Sequence, residues 1–246
     1  MKHARCIFDE GEHQWFAIVR DPDKPGYIID TNEYIIRSGA ELLLCDPGGI
    51  EVFPAVFSAL CQVCDPQALK AVFASHQDPD IVSSLALWLE FNPDLKCYTS
   101  RLWTSFLPHF GGCAETFKSI PDEGIEIDLG STTLHALPAH YLHSSGNFHL
   151  YDPKAKILFS GDVGGAMLPE GQDDLFVEDF DQHIRYAEGF HKRWMGSEKA
   201  KNQWCDRVAM LDVDMLCPQH GAIYRGKDVH RFIDWFRELE VGVASN

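Results

Sequence analysis

Short apolar runs bounded by Gly, Pro, Asn and Asp recur along this chain, and stretches with helical spacing of apolar residues lie between them. The first such runs predict strands over Cys6–Phe8, Trp15–Arg20, Glu33–Ile36 and, after the turn Ser38-Gly39, Glu41–Asp46. The breaker Asp46-Pro47-Gly48-Gly49-Ile50 then separates a strand from a helix over Glu51–Leu60. A strand Lys70–Ala74, a helix from Ile81 to Phe91, a strand Cys97–Thr99 and a helix from Arg101 to Phe110 complete a β-α-β-α half.

The second half reads as strands again: Thr116–Ile120, Ile125–Asp128, Thr132–Pro138, and a hairpin joining Phe148–Tyr151 to Ile157–Phe159. A helical run over Glu178–Asp206 breaks near Met195-Gly196-Ser197. A strand Met215–Pro218 and a helix Val229–Val241 follow. Two β-rich halves, each with helices, predict an α/β fold of four layers, an αβ/βα sandwich. No Pro/Ser-rich linker divides it, so residues 1–246 read as a single domain.

Charge narrows the function. Thirty-seven acids against 21 bases give a net charge of −16. Such a surface repels nucleic acid and anionic lipid. No apolar run reaches the 18 or so residues of a membrane span, and no signal-peptide core follows Met1. A cytoplasmic protein without membrane insertion is expected. The eight cysteines then read as reduced thiols. Cys61-Gln62-Val63-Cys64 is a lone CxxC at a helix end, read as a structural pair ahead of a redox or metal role.

Candidate chemistry sits just past strand ends. Ala74-Ser75-His76-Gln77-Asp78-Pro79-Asp80 places one histidine and two carboxylates where a strand becomes a helix. Three later segments follow the same grammar: His140-Tyr141-Leu142-His143, Ser160-Gly161-Asp162 and Pro218-Gln219-His220-Gly221. Asp78 and Pro79 also suit a helix cap and first turn, and Asp80 suits the helix dipole, so structural roles stand beside metal ligation. His140 competes with His143, and the spacing to Asp162 favours His143. His135 and His149 fit ordinary strand positions. Gln77 reads equally as a donor to a bound ligand or as a solvent-facing side chain. Phe176, Phe180, Phe190 and Trp194 recur near helical spacing with His183 and Tyr186, as core or as a pocket lid.

In order and spacing, His76, Asp78, Asp80, His143, Asp162 and His220 resemble the metal ligands of the metallo-β-lactamase superfamily. Its loop is His-x-His-x-Asp-His, followed by His, Asp and His. Leu44-Cys45-Asp46-Pro47-Gly48 resembles its early strand-end Asp, which supports the ligands from behind. Two departures redirect the resemblance: Asp78 replaces the second His, and Ile81 the last His of the loop. That pattern resembles the flavodiiron proteins, which hold two irons and bind or reduce O2 or NO.

Oxygen-rich sites suit iron or manganese better than zinc. Three carboxylates against two divalent ions and one bridging hydroxide sum to zero. The resemblance implies two Fe ions with an oxo or hydroxo bridge, and Asp162 as the bridging carboxylate. Only 26 residues follow His220, so no flavodoxin domain and no FMN are expected. That combination resembles the stand-alone oxygen-binding di-iron proteins, a branch linked to oxygen sensing and chemotaxis. Gln77-Asp78-Pro79-Asp80 and the stretch from His191 to Ala200 carry that likeness.

It implies O2 as ligand in a sensor or carrier, a signalling or chemotaxis partner protein, and a homodimer. Two alternatives remain: an O2 or NO reductase fed by an external redox protein, and a dinuclear metallohydrolase acting through a metal-bound hydroxide.

Overall fold

The computed structural model describes residues 3–19 and 27–243. Two mixed sheets pack face to face, with helices on both outer faces. In the first sheet, β1 (Ala4–Glu10), β2 (His13–Ile18), β3 (Glu33–Ser38) and β4 (Glu41–Cys45) run as an antiparallel meander. β5 (Leu69–Phe73), β6 (Lys96–Ser100) and β7 (Phe117–Ile120) then add in parallel. The second sheet has the order β13-β12-β11-β10-β9-β8. It is built from β8 (Ile125–Leu129), β9 (Thr132–Pro138), β10 (Phe148–Asp152), β11 (Ile157–Gly161), β12 (Met215–Pro218) and β13 (Tyr224–Arg225).

Three buried clusters define the four layers. Val56, Leu60, Val82, Leu85 and Trp88 from α1 (Phe53–Val63), α2 (Pro79–Val82) and α3 (Leu85–Phe91) cover the outer face of the first sheet. Trp15, Leu43, Phe73, Leu134, Phe148 and Phe159 fill the space between the sheets. On the far side Phe190, Trp204, Val208, Phe232 and Phe236 pack α4 (Phe180–Trp194), α5 (Glu198–Val208) and α6 (Lys227–Glu238) against the second sheet. Alternate residues of one strand face different clusters, as Ile35 and Ile36 do, because strand side chains alternate sides. The αβ/βα sandwich is the observed fold.

Several expectations need correction. The strand at Thr116–Ile120 does not open the second half; β7 pairs with β6 as the parallel edge of the first sheet. Sheet membership leaves no periodic signal, because the crossover alone decides it. The helix from Arg101 to Phe110 is instead a series of turns ending in a short 3-10 helix, Leu107–Phe110. Thr104 Oγ1 bonds the Arg101 carbonyl, Pro108 lacks a donor, and Gly111 and Gly112 both take positive φ. The helix from Ile81 to Phe91 is two helices broken at Ser83-Ser84. Ser83 Oγ accepts from Ile50 N, and Ser84 Oγ donates to the Pro47 carbonyl, which fastens the loop after β4. α6 stops at Glu238 because Lys201, itself buried, donates from Nζ to the carbonyls of Arg237 and Leu239. The short β13 was not anticipated, and the expected strand end at Arg20 lies outside the described residues. All eight thiols are free, Cys61 and Cys64 included.

Candidate metal centre

The carboxyl ends of β4, β5, β9, β11 and β12 open on one edge of the sandwich, and the loops beyond them carry the candidate side chains. β5 leads into Ser75-His76. Asp78 stands at the N-cap position of α2 with extended backbone (φ −68, ψ 152), yet makes no side-chain cap bond. Its carboxylate is turned inward instead: Oδ1 accepts from Gln77 Nε2 at 2.8 Å, and Oδ2 faces two imidazoles. Asp80 lies in the first turn of α2. Gly161, at φ 51, turns the chain sharply at the end of β11 and presents Asp162. Gly221, at φ 80, follows His220; a Cβ there would meet Ala166 at 2.9 Å.

All six predicted side chains converge. Asp162 Oδ2 lies 2.7 Å from His143 Nε2 and 3.4 Å from His76 Nε2. Asp78 Oδ2 lies 3.4 Å from His143 Nε2 and 3.7 Å from His76 Nε2. One ligand atom from each of His76, Asp78 and His143 falls within 4.8 Å of the others. The other oxygen of Asp162 looks elsewhere: Oδ1 is 3.3 Å from His220 Nε2, which is 3.6 Å from Asp80 Oδ2. One carboxylate thus faces two separate imidazole–carboxylate sets. His140 is not part of this group; its Nε2 bonds the Asp122 carbonyl and its ring abuts Phe148.

Partners behind the imidazoles fix which nitrogen is bare. Asp46, wholly buried, accepts from Ser75 N and Ser75 Oγ, each at 2.7 Å. With its proton given to Asp46, Ser75 Oγ accepts from His76 Nδ1 at 2.9 Å. His220 Nδ1 donates to the Asp30 carbonyl at 2.6 Å. In the neutral form both rings therefore offer a bare Nε2 to the cluster, the arrangement a metal-binding histidine needs. His76 Nε2 and Asp162 Oδ1 are buried with no hydrogen-bond partner. Orphaned lone pairs in a buried site are costly unless a cation takes them. Three imidazoles, two of them fixed from behind, and three carboxylates fit a pair of divalent ions.

Electrostatics agree. Burial would lower His76, but the charges of Asp162, Asp78 and Asp46 overcome it and raise the ring to about 9. Burial also opposes protonation of His220, and Asp162 and Asp80 lift it to about 9. Burial would raise Asp162, and the His76 charge with the close approach of all three imidazoles holds it well below the ordinary range. Burial pushes Asp80 up, partly countered by His220, and pushes Asp46 up to about 7 against the opposing pull of His76 and Ser75.

In the metal-free chain, protons thus occupy the Nε2 positions that a metal would take. Loading divalent ions at pH 7.5 is expected to release about two protons per chain, falling towards zero above pH 9 to 10. Calorimetry in buffers of different ionisation enthalpy measures this count; release that does not decline across that range contradicts the assignment. The sign for stability follows. Raised histidines stabilise the metal-free fold fully below their ordinary 6.5, and that contribution is lost as pH rises through about 9.

A family model described as ODP family beta lactamase matches residues 29–221. The chain belongs to the ODP family. A solved structure of the apo state of chemotaxis sensor ODP from T. denticola is 35% identical over 98% of this chain and 96% of its own, with a TM-score of 0.89. A structure described as the peroxy diiron species of chemotaxis sensor ODP is 34% identical over 98% of this chain and 97% of that one, with a TM-score of 0.86. Diflavin flavoprotein A 1 of Synechocystis is 29% identical over 83% of this chain. The chain spans 36% of that curated relative and 54% of the other it matches, an uncharacterized protein of Methanocaldococcus jannaschii.

The same ODP-family chain carries an aromatic cover that sequence periodicity only half resolves. Trp194, half exposed, sits edge-on to His143 at 5.3 Å and stacks on Phe190, which approaches His220 at 6.0 Å. These two rings belong to the site. Phe176 and Phe180 do not: they lie beneath Arg225 and Arg231. His183 packs edge-on against Tyr224, and the Tyr186 hydroxyl faces Gln182. His135 packs against Tyr151.

Gln77 neither faces solvent alone nor points at the cluster; it holds Asp78 and accepts from Ser144 Oγ at 2.6 Å, bridging the loops of Asp78 and His143. Sequence reading missed the supporting roles of Ser75, Ser144 and His191. The last accepts from Gly164 N at 3.0 Å and donates to the Ala187 carbonyl, binding the Asp162 loop to α4. His191 has a sequence signal, a histidine on the buried face of α4; the serines have none.

Proposed function

We propose that the chain binds O2 at a dinuclear iron centre and acts as an oxygen sensor. His76, Asp78 and His143 would hold one ion and Asp80 and His220 the other, with Asp162 shared between them. The observation that carries this reading is the division of Asp162, with one oxygen towards each set. The hard oxygen share of the donor set favours iron over zinc, and kinship to chemotaxis sensor ODP over nearly the full length of both chains supports the same ligand and role. Two ferrous ions, when bound, supply the electrons for O2 binding.

The chain's own groups do the rest. Asp46 through Ser75, and the Asp30 carbonyl, hold the imidazoles in register. Gln77 fixes Asp78 with Oδ2 inward. Phe190 and Trp194 keep water from the His143 and His220 side. The partner is a signalling protein of the chemotaxis type that reads the altered surface, and a homodimer fits the same role. A reductase served by an external donor is the second reading, supported by the relation to a diflavin flavoprotein.

Chain purified without air and loaded with ferrous ions is expected to hold about two irons and to gain a visible charge-transfer band on exposure to air. No band at full iron loading overturns the proposal. Sustained O2 consumption with NADH and a reconstituted donor moves it to the second reading.

A further inference from the structure

One buried amide stands between the His143 loop and α5. Asn147 is fully buried, and its Nδ2 donates to the carbonyl of Leu142, the residue before His143. The same Nδ2 lies 3.4 Å from His149 Nε2. His149 accepts at Nδ1 from the Trp204 indole N–H, 2.9 Å away on α5. An indole nitrogen only donates, so His149 Nδ1 is bare and the neutral ring keeps its proton on Nε2. Burial, helped by the His76 charge, holds this imidazole down to about 3, so it is neutral.

The consequence is a conflict between three groups. The His149 Nε2–H meets the Asn147 NH2, donor against donor, while Asn147 Oδ1 is buried with no partner. Turning the amide over gives His149 its acceptor but sets Oδ1 against the Leu142 carbonyl, acceptor against acceptor. Asn147 satisfies the loop of His143 or satisfies His149, never both. A cavity of about 220 Å³ separates the two elements, lined by Pro138, His140 and Tyr141 on the loop side and by Gln203, Trp204 and Arg207 of α5. Tyr141, half exposed there, has a left-handed backbone at φ 65, where a bulky side chain is strained.

We infer that Asn147 is a positioning residue that couples the His143 loop to α5 through His149 and Trp204, so that a change at the centre is transmitted to the α5 surface. The inference rests on the proposed dinuclear centre. A shift of the His143 loop that stretches the Asn147–Leu142 bond releases the amide to turn towards His149, and the Trp204 indole follows its acceptor.

The test uses the full chain, metal-free, ferrous without air, and ferrous after exposure to air. Hydrogen exchange is followed over Glu198–Val208, with iron content and the visible band measured on the same samples. In the wild type, exchange in α5 is expected to change at least about threefold between the ferrous and air-exposed samples. Trp204→Phe, which keeps a large ring and removes the donor, is expected to retain iron and band but lose that change. His149→Phe provides an independent second variant with the same expected outcome. An unchanged α5 in iron-loaded wild type overturns the coupling, as does a full response in either variant. A chain that takes up no iron overturns the centre itself, and the coupling with it.

Discussion

Asp162→Asn is expected to empty both halves of the centre together, taking iron from about two ions per chain to well below one and weakening binding at least about 100-fold. The carboxylate approaches His76 and His143 with one oxygen and His220 with the other. An amide keeps the shape, loses the charge, and puts an N–H2 group where one set needs a lone pair. Asp78→Asn is the informative contrast. Its Oδ2 meets only the His76 and His143 side, so one ion is expected to be lost first and the other retained. Metal analysis after dialysis against a weak chelator separates the two cases. Two ions retained in Asp162→Asn would rule out the bridge. The fold itself tolerates this change: once the carboxylate is gone, His76 and His220 lose the charge that raised them and shed their protons instead of remaining as buried cations.

Asp152→Ala is expected to be the most damaging change away from the centre, at about 3–5 kcal/mol. The carboxylate is buried at the end of β10 and accepts from His13 Nε2 at 2.6 Å, Trp15 Nε1 at 2.7 Å, and the amides of Lys154 and Ala155. His13 and Trp15 come from β2, so the group ties the first sheet to the second. Alanine leaves four donors without an acceptor, two of them deep in the sheet–sheet core. For a chain of this length the loss is a fall of about 10 °C in Tm.

The pH dependence has a definite sign. Burial would raise Asp152, and hydrogen bonds from His13 and Trp15 outweigh it and lower the group. Its stabilisation is present above the ordinary 3.8 and disappears as pH falls through the folded value. Thermal melts of both proteins from pH 7 downward should therefore converge below about pH 4. A gap independent of pH would mean that lost packing, not the charge, is what the mutation removes.

The architecture was legible in the sequence because β-runs and helical stripes are local signals. Trp15 to Ile18, Leu42 to Cys45 and Ile157 to Phe159 are apolar runs of strand length, and each is buried. Some strand ends could be read from Gly and Pro alone, as at Gly161 and Pro218.

What escaped was set by hydrogen bonds between segments distant in the chain. Ser83 and Ser84 break a helix because a loop from residues 47–50 needs their hydroxyls. Lys201 ends α6 from 36 positions away. Asp78 looked like a helix cap, and its backbone does sit at the cap position, but the side chain is engaged elsewhere. The six convergent residues were visible as types and positions. The means of holding them, Ser75 between Asp46 and His76 or Gln77 between Asp78 and Ser144, needed the folded chain.

His76, Asp78 and Asp80 hang from the first sheet, whereas His143, Asp162 and His220 hang from the second. A metal centre held by these six residues would be a clasp across the seam of the sandwich. Ions bound there add their binding free energy to the cohesion of the two halves, by an amount that grows with the logarithm of free metal. Without them the seam is closed by its apolar filling, the Asp152 group, and the bonds of Asn32 and Tyr34 to the Pro218 carbonyl. A residue that signals by loosening this clasp would work on the joint between two half-structures, where a small displacement of one ligand loop is a relative motion of two sheets.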